Sequence, residues 1–261
     1  MGHERIGYLP KTDRWKNIVS RISYFSSEND NISDIATETT RNVRSRFNNI
    51  REDTGVLSAF KFLVILTHAS KQENPSEFLK TKGIQLSNEF NIFDLTRTGQ
   101  NFVEKNQDSK EYSTFAIQSM IDTISEWTRK NQLQKALFFD SLGDSYLPWQ
   151  KASNGSGFCE LSRIFFSKFT TRYLKYYLER EASSRIQSLT ERENFSRKLE
   201  SHIQDISKHA FETTKIAQSL SAGWYNLHAK EAVPSDKLLK DFLAFSFKKI
   251  NSELLREEDY E

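Results

Sequence analysis

Between Gly157 and Gly223 the chain contains neither glycine nor proline. Those two residues interrupt regular backbone most readily, so residues 158 to 222 read as helix throughout. As one straight helix the stretch would run roughly 100 Å at the usual rise. The apolar pattern argues against that. On a helical wheel Phe158, Phe165, Phe166, Phe169, Tyr173, Tyr176 and Tyr177 fall within about a third of the circle. Further on, Leu199, Ile203, Ile206, Ala210, Thr213, Ala217 and Leu220 alternate by four and three, a short heptad. Its stripe lies about 100° round from the aromatic one, in the opposite sense to ordinary heptad drift. A break within "SSRIQSLTERE" reconciles the two stripes, with a continuous bent helix as the alternative. Thr190 and Glu193 match a capping box, in which each side chain reaches the other's free backbone N–H. Two long helices are therefore expected to meet near residues 184 to 190.

Helical spacing extends over most of the remaining chain. Trp15, Ile18, Val19 and Ile22 follow the capping candidate Thr12. Ile32, Ile35, Ala36, Val43, Phe47 and Ile50 form a second stripe, and Val56 to His68 is apolar enough for a buried helix but too short for a bilayer. Asn74 before Pro75, and Ser235 after Pro234, look like helix starts. Residues 83 to 107 are less regular and read as a short helix, a loop or a strand. Tyr112, Phe115, Ser119, Met120, Thr123 and Trp127 resume a helix, and Leu238, Leu239, Phe242, Phe245, Phe247 and Ile250 mark the last one. Sustained period-2 alternation is absent. The fold class expected is all-α, a multi-helix bundle with two or more long helices in its C-terminal half. Residues 1–152 make an N-terminal helical part and 153–261 a C-terminal long-helix part, together one continuous bundle.

Composition narrows function mainly by exclusion. The net charge of +2 on 261 residues gives no global case for a polyanion partner, so any basic surface is a local patch. A single cysteine, Cys159, permits no internal disulfide and points to a reducing, cytoplasmic setting. The first fifteen residues carry charges but no apolar run, so neither a secretory leader nor a membrane partner is expected. No G-x-S-x-G elbow, P-loop, H-E-x-x-H or glycine-rich dinucleotide loop occurs, and no cofactor is implied.

Four constellations remain, each weighed against a plain packing role. "SGFCELSRIFFSKFTTRYLKYYLEREAS" interleaves aromatics with Arg163, Lys168, Arg172, Lys175 and Arg180, the mixture a single-strand binder uses. Leu161, Ile164, Leu174 and Leu178 fill the faces the aromatics leave, however, which favours a central helix whose basic stems snorkel outward. Arg41, Arg44, Arg46 and Arg51 could form a basic helix face for nucleic acid. His202, Asp205, His209 and Glu212 share one helix face and could contribute to a metal site, although one helix cannot complete it. Asp140 and Asp144 near a turn offer a weaker metal-hydrolase reading. Finally, Tyr8, Leu9, Trp15, Trp224 and Tyr225 lie in aromatic stretches of the kind enriched at protein interfaces, or else pack the ends of the bundle.

The segments "RIGYLPKTDRWKNIV" and "SLSAGWYNLHAK", with the aromatic helix between them, resemble uncharacterised all-helical proteins of bacterial anti-phage defence loci. The resemblance implies a non-enzymatic partner within a larger assembly and transfers no catalytic residue. The leading expectation is thus an interaction or adaptor subunit that docks another protein or a second copy of itself. A nucleic-acid-binding component is the alternative, and a metal-assisted hydrolase ranks below both.

Overall fold

The structure, a computed structural model, describes residues 12–26, 31–107, 112–132, 145–212 and 220–256, with every side chain in them except those of 44–49, 132, 211, 212 and 256. Among the described residues eleven α-helices follow one another: α1 Asp13–Ser23, α2 Ile32–Ile50, α3 Thr54–Ala69, α4 Pro75–Thr81, α5 Ile92–Asn106, α6 Ser113–Gln132, α7 Leu147–Ala152, α8 Gly155–Arg185, α9 Leu189–Glu212, α10 Leu220–Trp224 and α11 Asp236–Arg256. A π turn, Tyr225–Ala229, continues α10. There is no strand among the described residues, and the protein is an all-α bundle. Nor is any described helix long and apolar enough to cross a membrane.

Short polar side chains start the helices where the sequence places them. Thr12 accepts the Trp15 N–H at 3.2 Å, Asn74 accepts that of Glu77 at 3.3 Å, and Ser235 accepts that of Leu238 at 3.4 Å. Each fills an orphan donor of a first helical turn. The ambiguous region resolves into a loop and then a helix. Gly83, at φ 75°, ends α4 in a left-handed conformation that side chains avoid. Residues 84–91 run without regular structure until Asn91 and Asp94 close a capping box on α5.

Two helices sit at the centre. α3 packs against α4, α5, α6, α7 and α11, and all of its residues but Thr54 and Lys61 are buried. α8 packs against α1, α2, α6, α7, α9 and α10. α2 and α3 also meet α11, so helices from before and after residue 152 interlock. The approach of α7 to α8 requires glycine, because a Cβ on Gly157 would lie 1.9 Å from the Lys151 carbonyl oxygen.

The long glycine- and proline-free stretch does break, at residues 186–188. The cap differs from expectation. α9 begins at Leu189, which puts Thr190 inside its first turn, and Ser188 Oγ accepts the Glu191 N–H at 3.3 Å instead. Arg192 Nε donates to the Ile186 carbonyl at 2.6 Å, and Ile186 itself is buried. A side chain reaching back to an orphan carbonyl and an apolar plug thus make a turn that usually needs glycine. In α9, Leu199, Ile203, Ile206 and Ala210 are buried as the heptad predicts, while Thr213 and Ala217 lie outside the described residues. The stripe of α11 needs correction. Its buried face is Leu239, Phe242, Leu243, Ser246, Phe247, Ile250 and Leu254; Phe245 is 49% exposed and Leu238 only half-buried. Both project well over 100° from the centre of that face at ~100° per residue.

Candidate functional site

From Phe158 to Leu178 no residue of α8 is exposed. Phe158, Phe165, Phe166, Phe169, Tyr173 and Tyr177 are fully buried, and Tyr176 is half-buried beside Phe115. Their rings form a continuous aromatic core with α3 and α11: Phe60 stacks on Phe242 at 5.4 Å, and Phe166 meets Phe247 edge-on at 5.0 Å. Stacking onto bases would require these rings in solvent, so this helix is no single-strand platform.

The remaining half-buried positions of that span are Glu160, Arg163, Lys168, Arg172 and Lys175, and each has a charged partner within the chain. Glu160 pairs with Lys130 of α6 and lies 3.9 Å from Arg163. Lys168 lies 3.3 Å from both Glu126 of α6 and Glu200 of α9. Arg172 reaches Asp122 and Gln118 of α6, and Lys175 reaches Glu200 at 3.5 Å. Burial alone would lower the pKa of Lys168, but Glu126 and Glu200 outweigh it and raise the pKa above 10.5. Burial likewise opposes the charge on Glu200, yet Lys168 and Lys175 hold its pKa below 4.5. These cations fasten α8 to its neighbours, and a phosphate would have to displace carboxylates already in place.

The aromatic interface candidates divide by location. Trp15 is buried and packs edge-on against Tyr177 at 6.4 Å. Tyr225 is fully buried, and Trp224 is half-buried over Phe158 and Phe242. These rings close the end of the bundle and present little to a partner. Tyr8 and Leu9 lie outside the described residues. Of the basic candidates, Arg41 is half-buried and pairs with Glu38 at 2.6 Å, while exposed Arg51 pairs with Glu52 at 3.2 Å. The side chains of Arg44 and Arg46 are outside the description. On α9, His202 is half-buried and Asp205 and His209 are exposed; the Glu212 side chain is not described. Among the described residues no three His, Cys, Asp or Glu side chains converge as a metal site would need. Asp140 and Asp144 lie outside the described residues. Cys159 is buried.

The structure brings together one polar cluster that sequence spacing does not reveal. Lys71, just beyond the end of α3, donates from Nζ to the Tyr225 hydroxyl and to the Lys230 carbonyl, both at 2.9 Å. The Tyr225 hydroxyl donates in turn to the Ser153 carbonyl at 2.7 Å. Burial, with a contribution from Glu231, pushes the Tyr225 phenol up to about 12, so it remains a neutral donor. His68 sits on the last turn of α3, 3% exposed, and its buried Nε2 makes no hydrogen bond. Lys71 and Tyr225 are 154 positions apart in the chain, and only the observation that "LTHAS" ends an apolar helix with a histidine hints at the cluster.

Sequence reasoning also missed the large apolar side chains that stand in solvent. Phe93, on the first turn of α5, and Leu227, on the π turn, are each 80% exposed. Tyr24, Leu189 and Phe245 are exposed as well. No family model matches the chain, and neither a curated protein nor a solved structure shows significant similarity to it.

Proposed function

We propose that this chain is a non-enzymatic interaction or adaptor subunit of a larger protein assembly, docking another protein or a second copy of itself. The observation that carries this reading is the exposure of Phe93 on the first turn of α5 and of Leu227 on the π turn. Burying a side chain of this size against a partner recovers roughly 1.5–3 kcal/mol of apolar hydration, and aromatic anchors of this kind dominate interface energetics. The likeness of two segments to helical proteins of anti-phage loci supports a bacterial defence complex as the assembly. The test is size-exclusion chromatography with light scattering, together with co-purification of stoichiometric partners, on the wild-type chain and on Phe93→Glu and Leu227→Glu made separately. The wild type is expected to assemble, and at least one variant to lose assembly while keeping its helical content. A strictly monomeric wild type that retains no partner would sink the proposal.

A further inference from the structure

The contacts between the end of α3 and the Tyr225–Ala229 π turn form a second device. π-helical hydrogen bonding is rare and is frequently met at functional sites. Here it is supported from outside: Lys71 grips both ends of the segment through the Tyr225 hydroxyl and the Lys230 carbonyl, and Ser153 anchors the phenol from the α7–α8 junction. His68 stands one turn before Lys71, on the last turn of α3. The Ala229 carbonyl, at the last residue of the π turn, faces its ring.

We propose that His68 is a proton switch for this segment: protonation of the buried imidazole releases Tyr225–Lys230 from the end of α3 while the rest of the bundle stays folded. In the neutral ring the buried Nε2 has no hydrogen-bond partner within the chain. The imidazolium carries an N–H on each nitrogen, and Nε2–H would be a buried donor with no acceptor. The charged groups around it are unbalanced. Lys71 and Lys82 both oppose a new cation, and Glu231 alone favours it. Lifting the segment away lets water solvate the cation, and against α8 it gives up the Tyr225 ring on Phe158 and the approach of Asn226 to Gly155.

The direction of the pH effect follows from the environment of the ring. Burial first, then Lys71, hold the His68 pKa below 6.5, against the pull of the Ala229 carbonyl. The open state therefore binds the proton more tightly than the closed one. Closure is fully favoured above about pH 6.5 and weakens as pH falls toward the lower closed-state value. This switch does not depend on the adaptor role.

Hydrogen exchange of the full chain, corrected for intrinsic rates, tests it between about pH 7.5 and about pH 5.5. Peptides spanning Tyr225–Lys230 should lose protection, by at most about tenfold because one pH unit of linked protonation is the ceiling, while peptides of α8 keep theirs. His68→Gln, which cannot titrate in this range, should abolish the change. Lys71→Met should raise the imidazole titration midpoint read by NMR, even if His68→Gln fails to fold. The proposal is overturned by undiminished protection at the lower pH, by an equal loss in α8, by a pH response that survives in His68→Gln, or by a His68 midpoint that Lys71→Met leaves unmoved.

Discussion

α8 and α9 follow one another across three residues, yet they bury themselves by different rules. α9 has a single inward stripe, Phe195, Leu199, Ile203, Ile206 and Ala210, and leaves Glu193, Arg197 and Lys208 in solvent. α8 has no outward face between Phe158 and Leu178, so its charges stand where apolar neighbours surround them, and each meets an oppositely charged side chain. The same residue types therefore do different work. On α9 Lys208 is a solvated surface charge; on α8 Lys168 is a fastening between three helices. A basic and aromatic composition does not by itself say which of these a helix contains.

The contrast breaks most directly at the core. Phe166→Ala should cost about 3–5 kcal/mol in urea denaturation, because a fully buried ring leaves a cavity, whereas Arg197→Ala on the open side of α9 should stay within ~0.5 kcal/mol. Comparable losses at the two sites would show that α8 is not central. At the junction, Ser188→Ala should cost about 1 kcal/mol, and Thr190→Ala clearly less; the reverse order would restore Thr190 as the cap.

The smallest effect concerns the fastenings. Lys168→Met should cost ~0.2–1 kcal/mol, a low figure because Glu126 and Glu200 are over a third open to water. Its pH signature is more telling than its size. Glu200 has its pKa lowered in the fold, so the stability it contributes is complete above 4.5 and is lost as acid titrates it through its lower folded value. Lys168 has its pKa raised, so its contribution is complete below 10.5 and is lost as base titrates it. The variant should therefore show a shallower decline in stability at both extremes than the wild type.

Much of the fold is legible in the sequence because local chemistry dictates it. Thr12, Asn74 and Ser235 cap helices as their position before apolar periodicity requires, and the mismatch between two stripes locates the α8–α9 break. What escapes the sequence is what tertiary neighbours decide. Ser188 takes the cap from Thr190 because Arg192 and Ile186 fix where the turn closes. Phe245 and Leu238 share the apolar character expected of the α11 stripe, but apolar type alone does not assign a face once a helix carries phenylalanines on several sides. The candidate site was the least legible part. Trp15 and Tyr225, conspicuous as aromatic residues in loops and helix ends, are spent on packing, while Phe93 and Leu227 stand outside for reasons no local pattern conveys.

Thr37 on α2 donates from its hydroxyl to the carbonyl of Leu254, 217 positions later, where α2 lies along α11. This has a consequence for synthesis. α2 leaves the ribosome well before α11, and the surface that completes its packing does not exist until residue 254 has been made. Its inward face, Ile35, Ala36 and Val43, must wait through the synthesis of the intervening helices without its final cover. Early helices in such a chain are natural clients for a chaperone, and slow or interrupted translation beyond α9 should harm this protein more than an equal pause before α3.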